Sequence, residues 1–290
     1  MADVLSAQKI ETLLSESASA CRGKIEVFQT IDSTSTEAKR RLQGCDSENS
    51  DIKNLHGQVL FAERQTAGRG RLGRSFFSPA QSGIYVSIIY MPEFYLKSEP
   101  ADILGRQGSP LENLSLITSF AAVAVCRTLE SFDIEAKIKW VNDIFVNEKK
   151  VCGILTEGVF SSGQECKALI IGIGINVYES EAGFPEELKH IAGAISIDGK
   201  KEIQSLDRNV LAARLISNVF EICSGKRCSS EVMNEYRQRS FIIGKKVFVM
   251  SAQETYEAEV LEITDNAHLI VKNSSGEQRE LLSGEISLRL

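Results

Sequence analysis

Residues 63–79 read ERQTAGRGRLGRSFFSP, and the fold turns on how that stretch is understood. Gly68, Gly70 and Gly73 match G-x-G-x-x-G, the fingerprint in which a strand turns into a helix whose amides meet a pyrophosphate. Here Ser75, Phe76, Phe77, Ser78 and Pro79 follow, and they oppose a helix. Arg64, Arg69, Arg71 and Arg74 surround the glycines, and no carboxylate lies between them. A dinucleotide fold is therefore disfavoured. A glycine loop bearing forked guanidinium groups suits closure over an anion, because each Arg offers paired donors to phosphate or carboxylate oxygens. Glycine lets such a loop be open when empty and tight when filled. The plain alternative is a solvated basic turn.

Working outward, GQVLFAE (57–63) enters the loop as a strand and GIYVSIIYM (83–91) leaves it as another. Upstream, IEVFQTI from Ile25 alternates as a strand, then Asp32-Ser33-Thr34-Ser35-Thr36 leads into a helix over TEAKRRLQ. GCDSENSDIKN reads as an exposed loop, and residues 92–109 as a polar surface excursion. Ser109-Pro110-Leu111-Glu112 is a capping box with Pro at the first helical position, opening a buried helix through LSLITSFAAVAVCRTLE. AKIKW, a hairpin over IFVNEKKVCGILTEG turning near Asn147 to Lys149, and KALIIGIGINV supply further strands. Helices are expected near 207–223, capped by Asp207, and through EVMNEYRQRS. With no strict βαβ repeat, the order favours an α+β domain.

From about Phe241 the texture changes to short alternating strands, KKVFVM, TYEAEVLEI, HLIVKN, QRELLS and EISLRL, the pattern of a small SH3-like β-barrel. The expected organisation is a helical lead over 1–24, a catalytic domain over 25–240 and a small C-terminal domain over 241–290. The 290 residues, 43% hydrophobic with 5 Pro, are enough for a large core and exclude collagen and disorder. With 33 Lys plus Arg against 39 Asp plus Glu, the chain is acidic at −6. The seven cysteines are scattered and never spaced C-x-x-C, which favours free thiols in a reducing compartment. No signal peptide or membrane span is visible, so a cytoplasmic protein is expected. His56, His190 and His268 stand far apart, so a His-centred triad has little to build on.

The chemistry then falls to Arg, Lys, Asn and Asp. Lys139-Trp140-Val141-Asn142-Asp143 opens the hairpin and Lys150 lies across its turn. Strand ends that bring an Asn, an Asp and a Lys together can orient a nucleotide, hold its Mg²⁺ and neutralise charge at a reacting phosphorus. Exposed strand ends are the alternative for Lys139 and Lys150, and a core position is the better reading of Trp140. GIGIN (172–176) ends its strand on Asn176, either a strand terminator or a ligand to substrate.

Together DSTSTEAKR, ERQTAGRGRLGR, KWVND, KKVCGIL, GIGINV and GEISLR, in that order over 25–290, resemble the biotin protein ligases. The resemblance implies a catalytic domain related to class II aminoacyl-tRNA synthetases, a mixed sheet flanked by helices. It implies activation of biotin by ATP and Mg²⁺ to biotinyl-5′-AMP, then transfer to a lysine of a biotin carboxyl carrier domain of a carboxylase. By the same resemblance, Ser33, Thr34, Ser35, Gln65 and Gly153 would hold biotin. Arg69, Gly70 and Arg71 would cover its carboxylate and the phosphate, with Arg74 nearer the nucleotide. Lys150 would contact both the biotin carboxylate and the α-phosphate as the principal catalytic cation, with Arg71 and Asp143 beside it. Asn142 and Asp143 would face the adenylate or its Mg²⁺, Asn176 the nucleotide, and Arg289 would reach ATP from the small domain. Val141 stands where the family usually has Pro. The rivals are a lipoate ligase and a non-enzymatic biotin-sensing regulator. The short lead and acidic charge speak against DNA binding, and a monomer or homodimer without membrane or DNA partners is expected.

Overall fold

The computed structural model describes residues 3–45, 51–91, 110–160, 166–195, 206–224, 227–250, 254–282 and 285–288. The lead forms α1 (Ala7–Thr12) and a 3-10 turn (Glu16–Cys21). Then come β1 (Ile25–Phe28), α2 (Thr34–Gln43), α3 (Asp51–Asn54), β2 (Val59–Ala62), β3 (Gly83–Tyr90) and α4 (Pro110–Glu130). β4 (Lys137–Lys139), β5 (Asp143–Val146), β6 (Lys149–Phe160) and β7 (Cys166–Asn176) follow, then α5 (Arg208–Cys223) and α6 (Ser229–Arg239). The C-terminal strands are β8 (Lys246–Met250), β9 (Thr255–Ile263), β10 (Leu269–Asn273), β11 (Gln278–Leu281) and β12 (Glu285–Leu288).

Seven strands form one mixed sheet in the order β1-β2-β3-β7-β6-β5-β4, with β1 and β2 parallel and the other pairs antiparallel. This is the α+β sheet expected from the sequence. Period-two alternation gives the sheet two unlike faces. Ile84, Val86, Ile88, Ile171, Ile173 and Ile175 share a core with the apolar residues of α4 and α5. On the opposite face Leu60, Ile89 and Ile170 pack against Ala38 and Leu42 of α2. Ser87, Gly172 and Gly174, on β3 and β7, carry no bulk that would extend this packing, and a depression is left there.

The remaining strands form a five-stranded antiparallel sheet, β11-β10-β9-β8-β12, the elements in which the sequence predicts an SH3-like barrel. Trp140 bolts it to the main sheet: its ring is 4% exposed and its indole N–H donates to the Ala267 carbonyl at 2.8 Å. The core position expected for Trp140 is thus found.

Two features depart from expectation. The stretch read as an exposed loop includes the short helix α3. The lead, set apart from the catalytic domain in the expected organisation, inserts Leu5, Ile10, Leu14, Ala18 and Cys21 into the main core. It is also held by charge. Arg208, 0% exposed, pairs through Nε with Asp3 Oδ1 (2.7 Å) and through Nη1 with Glu63 Oε2 (2.8 Å) and the Gly83 carbonyl (3.1 Å). The Leu5 N–H donates to Glu63 Oε1 at 2.7 Å. Glu63 and Gly83 flank the loop segment, so the lead and both stalks of the loop meet at one guanidinium. No helix among the described residues is long and apolar enough to cross a membrane.

Candidate active site

The segment between β2 and β3 does not continue into a helix. Its two arms fold back on each other, with the Gly70 N–H donating to the Arg74 carbonyl at 2.7 Å and the Phe76 N–H to the Gly68 carbonyl at 2.9 Å. The tip is a 3-10 turn (Arg71–Gly73) in which Leu72 and Gly73 have φ of 55° and 75°. Gly68 is required by close approach, since a Cβ there would stand 2.4 Å from the Phe76 carbonyl. This loop covers a cavity of about 350 Å³. The fingerprint glycines therefore serve a hairpin loop, as the opposing Ser-Phe-Phe-Ser-Pro run implies.

Ser33, Thr34, Ser35, Gln65, Arg69, Gly70, Arg71, Arg74, Asn142, Asp143, Lys150, Gly153 and Asn176 all line that cavity. Every site residue predicted from sequence is brought to this one place except Arg289, which lies outside the described residues. Ser109 of the predicted capping box and the 92–109 excursion lie outside them as well, although α4 does begin at Pro110.

Ser33 caps α2, its side chain accepting from the Thr36 N–H, so the helix opens with Thr34 and Ser35 at the cavity floor. Gln65 Oε1 accepts from the Thr34 N–H at 2.8 Å and from Thr34 Oγ1 at 3.2 Å, and Gln65 Nε2 donates to Ser78 Oγ at 3.0 Å. Ser87 Oγ lies 2.8 Å from Thr34 Oγ1 and 2.9 Å from Ser35 Oγ. The floor is neutral and buried.

Lys150 reaches the cavity because of a bulge. Asp143 faces Gly153 and Ile144 faces Cys152, but the register then slips, and Phe145 faces Lys150. Unslipped pairing would set Lys150 opposite Val146, on the core face. The bulge re-aims it onto the face of Asp143, Phe145 and Gly153, where Lys150 Nζ lies 2.7 Å from Asp143 Oδ1. The turn is the two-residue Asn147-Glu148, with φ of 48° and 64°, as a tight hairpin demands. Backbone bonds from the Lys150 N–H to the Ile191 carbonyl (2.8 Å) and from the Gly193 N–H to the Lys150 carbonyl (2.9 Å) fix its Cα.

Arg71 Nη1 donates to Asn142 Oδ1 at 3.1 Å, joining the loop to the strand end opposite, and Asn142 Nδ2 donates to the Ile154 carbonyl at 3.0 Å. The Trp140–Val141 peptide, where Val replaces the expected Pro, is cis. Arg69 is clasped at both ends of its fork by Glu157 on β6, at 2.8 and 2.8 Å. Asn176 Nδ2 donates to the Gly193 carbonyl at 3.0 Å, which orients it toward the segment after β7. Cys152, two residues from Lys150 and fully buried, has its thiol pushed well up by burial, which disfavours the thiolate there.

Several cavity residues escape sequence reasoning. Phe76 lies over Gly153 and Gly174, where a Cβ on Gly174 would stand 2.5 Å from its ring. Phe77 and Phe184 bring ring centroids to 6.1 Å at the wall beside Leu188 and Ile191. The C-terminal sheet adds Met250 and Ile286. Only the local Ser-Phe-Phe-Ser-Pro run could have signalled the first pair of these aromatics. Phe184 is 107 residues beyond Phe77 and has no motif of its own.

Residues 27–176 match the family described as Biotin/lipoate A/B protein ligase family. The Bifunctional ligase/repressor BirA of Bacillus subtilis (strain 168) is 30% identical over 240 residues, covering 80% of this chain and 66% of that protein. The Biotin--[acetyl-CoA-carboxylase] ligase of Mycobacterium tuberculosis is 29% identical over 198 residues, covering 68% of this chain and 65% of that protein. The chain thus spans about two thirds of the length of these curated relatives. Among solved structures, the biotin protein ligase from Aquifex aeolicus in complex with biotin and ATP superposes with a TM-score of 0.66 at 26% identity, covering 92% of this chain and 98% of that one.

Proposed function

The chain belongs to the biotin/lipoate A/B protein ligase family, and from that premise we propose that it activates biotin with ATP to biotinyl-5′-AMP and passes the biotinyl group to a lysine of a carrier domain. The observation that carries this reading is the meeting, in one cavity, of a neutral hydroxyl and carboxamide floor with the Arg/Gly loop and the Lys150–Asp143 pair. A ureido ring is neutral and rich in hydrogen bonds, whereas a carboxylate beside a triphosphate is a concentration of negative charge. The two ends of the site match those two chemistries.

The first step joins two anions that repel. Arg71 and Lys150 offset that repulsion and stabilise charge developing at the α-phosphorus, with the geometry held in advance by Asn142 and by the bulge. Pyrophosphate leaves, and the carboxylate oxygen is now bonded to phosphorus. The loop then excludes water from a hydrolysis-prone mixed anhydride. In the second step the carrier lysine attacks the acyl carbon, AMP departs, and the lysine's proton must go to a base; Asp143 is the carboxylate lining the cavity among the described residues. Mg²⁺ would enter with the nucleotide. One carboxylate plus substrate phosphates is a donor set that this ion accepts, and among the described residues no cluster of three ligating side chains exists to hold it independently.

The test is biotin-dependent exchange of pyrophosphate into ATP, followed by biotinylation of a carrier domain. Exchange and transfer that both require biotin are expected. Absence of both with Mg²⁺ present would overturn the assignment.

A further inference from the structure

The hydrogen-bond chain in the cavity floor has a forced direction. A backbone N–H only donates, so the Gln65 atom 2.8 Å from the Thr34 nitrogen is the carboxamide oxygen. That oxygen only accepts, so Thr34 Oγ1, at 3.2 Å, places its single proton there. The 2.8 Å contact between Thr34 and Ser87 must then take its proton from Ser87. The 2.9 Å contact between Ser87 and Ser35 must take its proton from Ser35. Three hydroxyls carry three protons and all are committed. Ser35 is left with lone pairs only.

Ser35 lines the cavity, and the missing side chain of Gly172 makes room for it, since a Cβ there would lie 2.7 Å from Ser35 Oγ. Ser87 sits behind it, directly across the β3–β7 register from Gly172 and 0% exposed. Gln65 Nε2 has two N–H groups, one of which goes to Ser78. The floor thus combines an acceptor at Ser35 with an amide donor at Gln65.

We propose that Ser87, a hydroxyl outside the cavity lining, is a specificity-determining positioning residue that holds Ser35 as a one-way acceptor and so selects ligands presenting an N–H at that point. This rests on the biotin reading of the site and deepens it. A ureido ring supplies such an N–H beside a carbonyl. A dithiolane ring, as in lipoate, supplies neither, so within a family whose name covers both substrates the chain is committed to the ureido ring.

The proposal is tested by calorimetric titration with biotin and with the two cyclic carbamate analogues in which one ureido N–H is replaced by oxygen. Wild-type protein is expected to bind one carbamate about tenfold or more weaker than biotin, because an oxygen faces a Ser35 that cannot donate. In Ser87→Ala the Ser35 hydroxyl is released to turn its proton toward that oxygen. Biotin should weaken about threefold to tenfold, and the gap between biotin and that carbamate should narrow several-fold. The kinetic counterpart is a raised KM for biotin with KM for ATP unmoved, a split that general loosening of the fold would not give. Ser35→Ala removes the acceptor itself and should abolish the gap, which keeps the test decisive if Ser87→Ala fails to fold. An undiminished gap in either folded variant overturns the proposal and leaves the biotin reading standing. Failure of the wild type to bind biotin at all overturns both.

Discussion

Ser33, Thr34 and Ser35 at the floor of the cavity, with Ser87 behind them, are 1%, 3%, 6% and 0% exposed, whereas the Arg69 and Lys150 side chains at its rim keep 38% and 30% of theirs. The floor is neutral, with the protons of Thr34, Ser35 and Ser87 committed to hydrogen bonds within it; the rim is ionic and partly wet. The difference follows from desolvation. A buried hydroxyl is stable once its one proton and its lone pairs are matched, but a buried unpaired charge costs several kcal/mol. Selectivity for a neutral ring can therefore be built in the dry part of the site. The cations that meet phosphate are kept where water and the carboxylates of Asp143 and Glu157 tolerate the unfilled state.

On that division, the largest effect should come from the rim. Lys150→Ala is expected to lower pyrophosphate exchange about 10²-fold to 10³-fold, the scale of removing one electrostatic partner of a transition state. Biotin titrated in the absence of ATP should bind within a few-fold of wild type. Loss of biotin binding on the same scale as loss of exchange would erase the distinction between the two regions. Next comes the floor: Thr34→Val keeps the shape and deletes the hydroxyl, and should weaken biotin about tenfold while leaving KM for ATP in place. A smaller effect is expected from Glu157→Gln, which loosens the half-exposed clasp on Arg69. Pairs of that kind are worth about 0.2–1 kcal/mol, so KM should rise by about fivefold at most, and less at high salt. Raising the ionic strength to about 1 M, where screening acts within about 3 Å, should weaken ATP, with its triphosphate, more than biotin, with its single carboxylate.

The smallest effect on the site concerns pH. The floor has no titrating side chain, so biotin affinity measured through its ring should be flat across neutral pH. The fold itself is not indifferent. His56 accepts from the Met91 N–H through Nδ1, and burial, aided by the charge of Lys24, holds its pKa down at about 4. Its unfolded value is about 6.5, so the neutral ring's contribution to stability is complete above that pH and is lost as pH falls toward 4. Thermal melting should drop across that window, and His56→Gln should remove part of the slope.

Much of this site can be read from the chain because its motifs are local. Ser33 caps the helix that carries Thr34 and Ser35, and a two-residue turn sets Lys150 near Asp143. Residues 75–79, which oppose a helix, and the arginines around the glycines together disfavour a dinucleotide fold from the sequence alone. What sequence withholds are the partners. Glu157 lies 88 residues from Arg69, and nothing in TEG marks it as the far half of a clasp. Ser87 sits inside a plain apolar strand, and its meaning depends on Gly172 being opposite. Lys150 faces inward only because of a bulge, which alternation alone would have placed on the wrong side.

Asp3, Glu63 and Arg208 give the molecule one more property. A single buried guanidinium joins the first described residue to the residue from which the loop departs. The docking of the chain's opening residues and the anchoring of the loop are therefore linked equilibria. Whatever stabilisation the docked lead gives to an ordered loop, a ligand that orders the loop must return to the lead in equal measure. Amide exchange at Leu5, whose N–H ends on Glu63, would report that traffic from the far side of the buried Arg208 guanidinium.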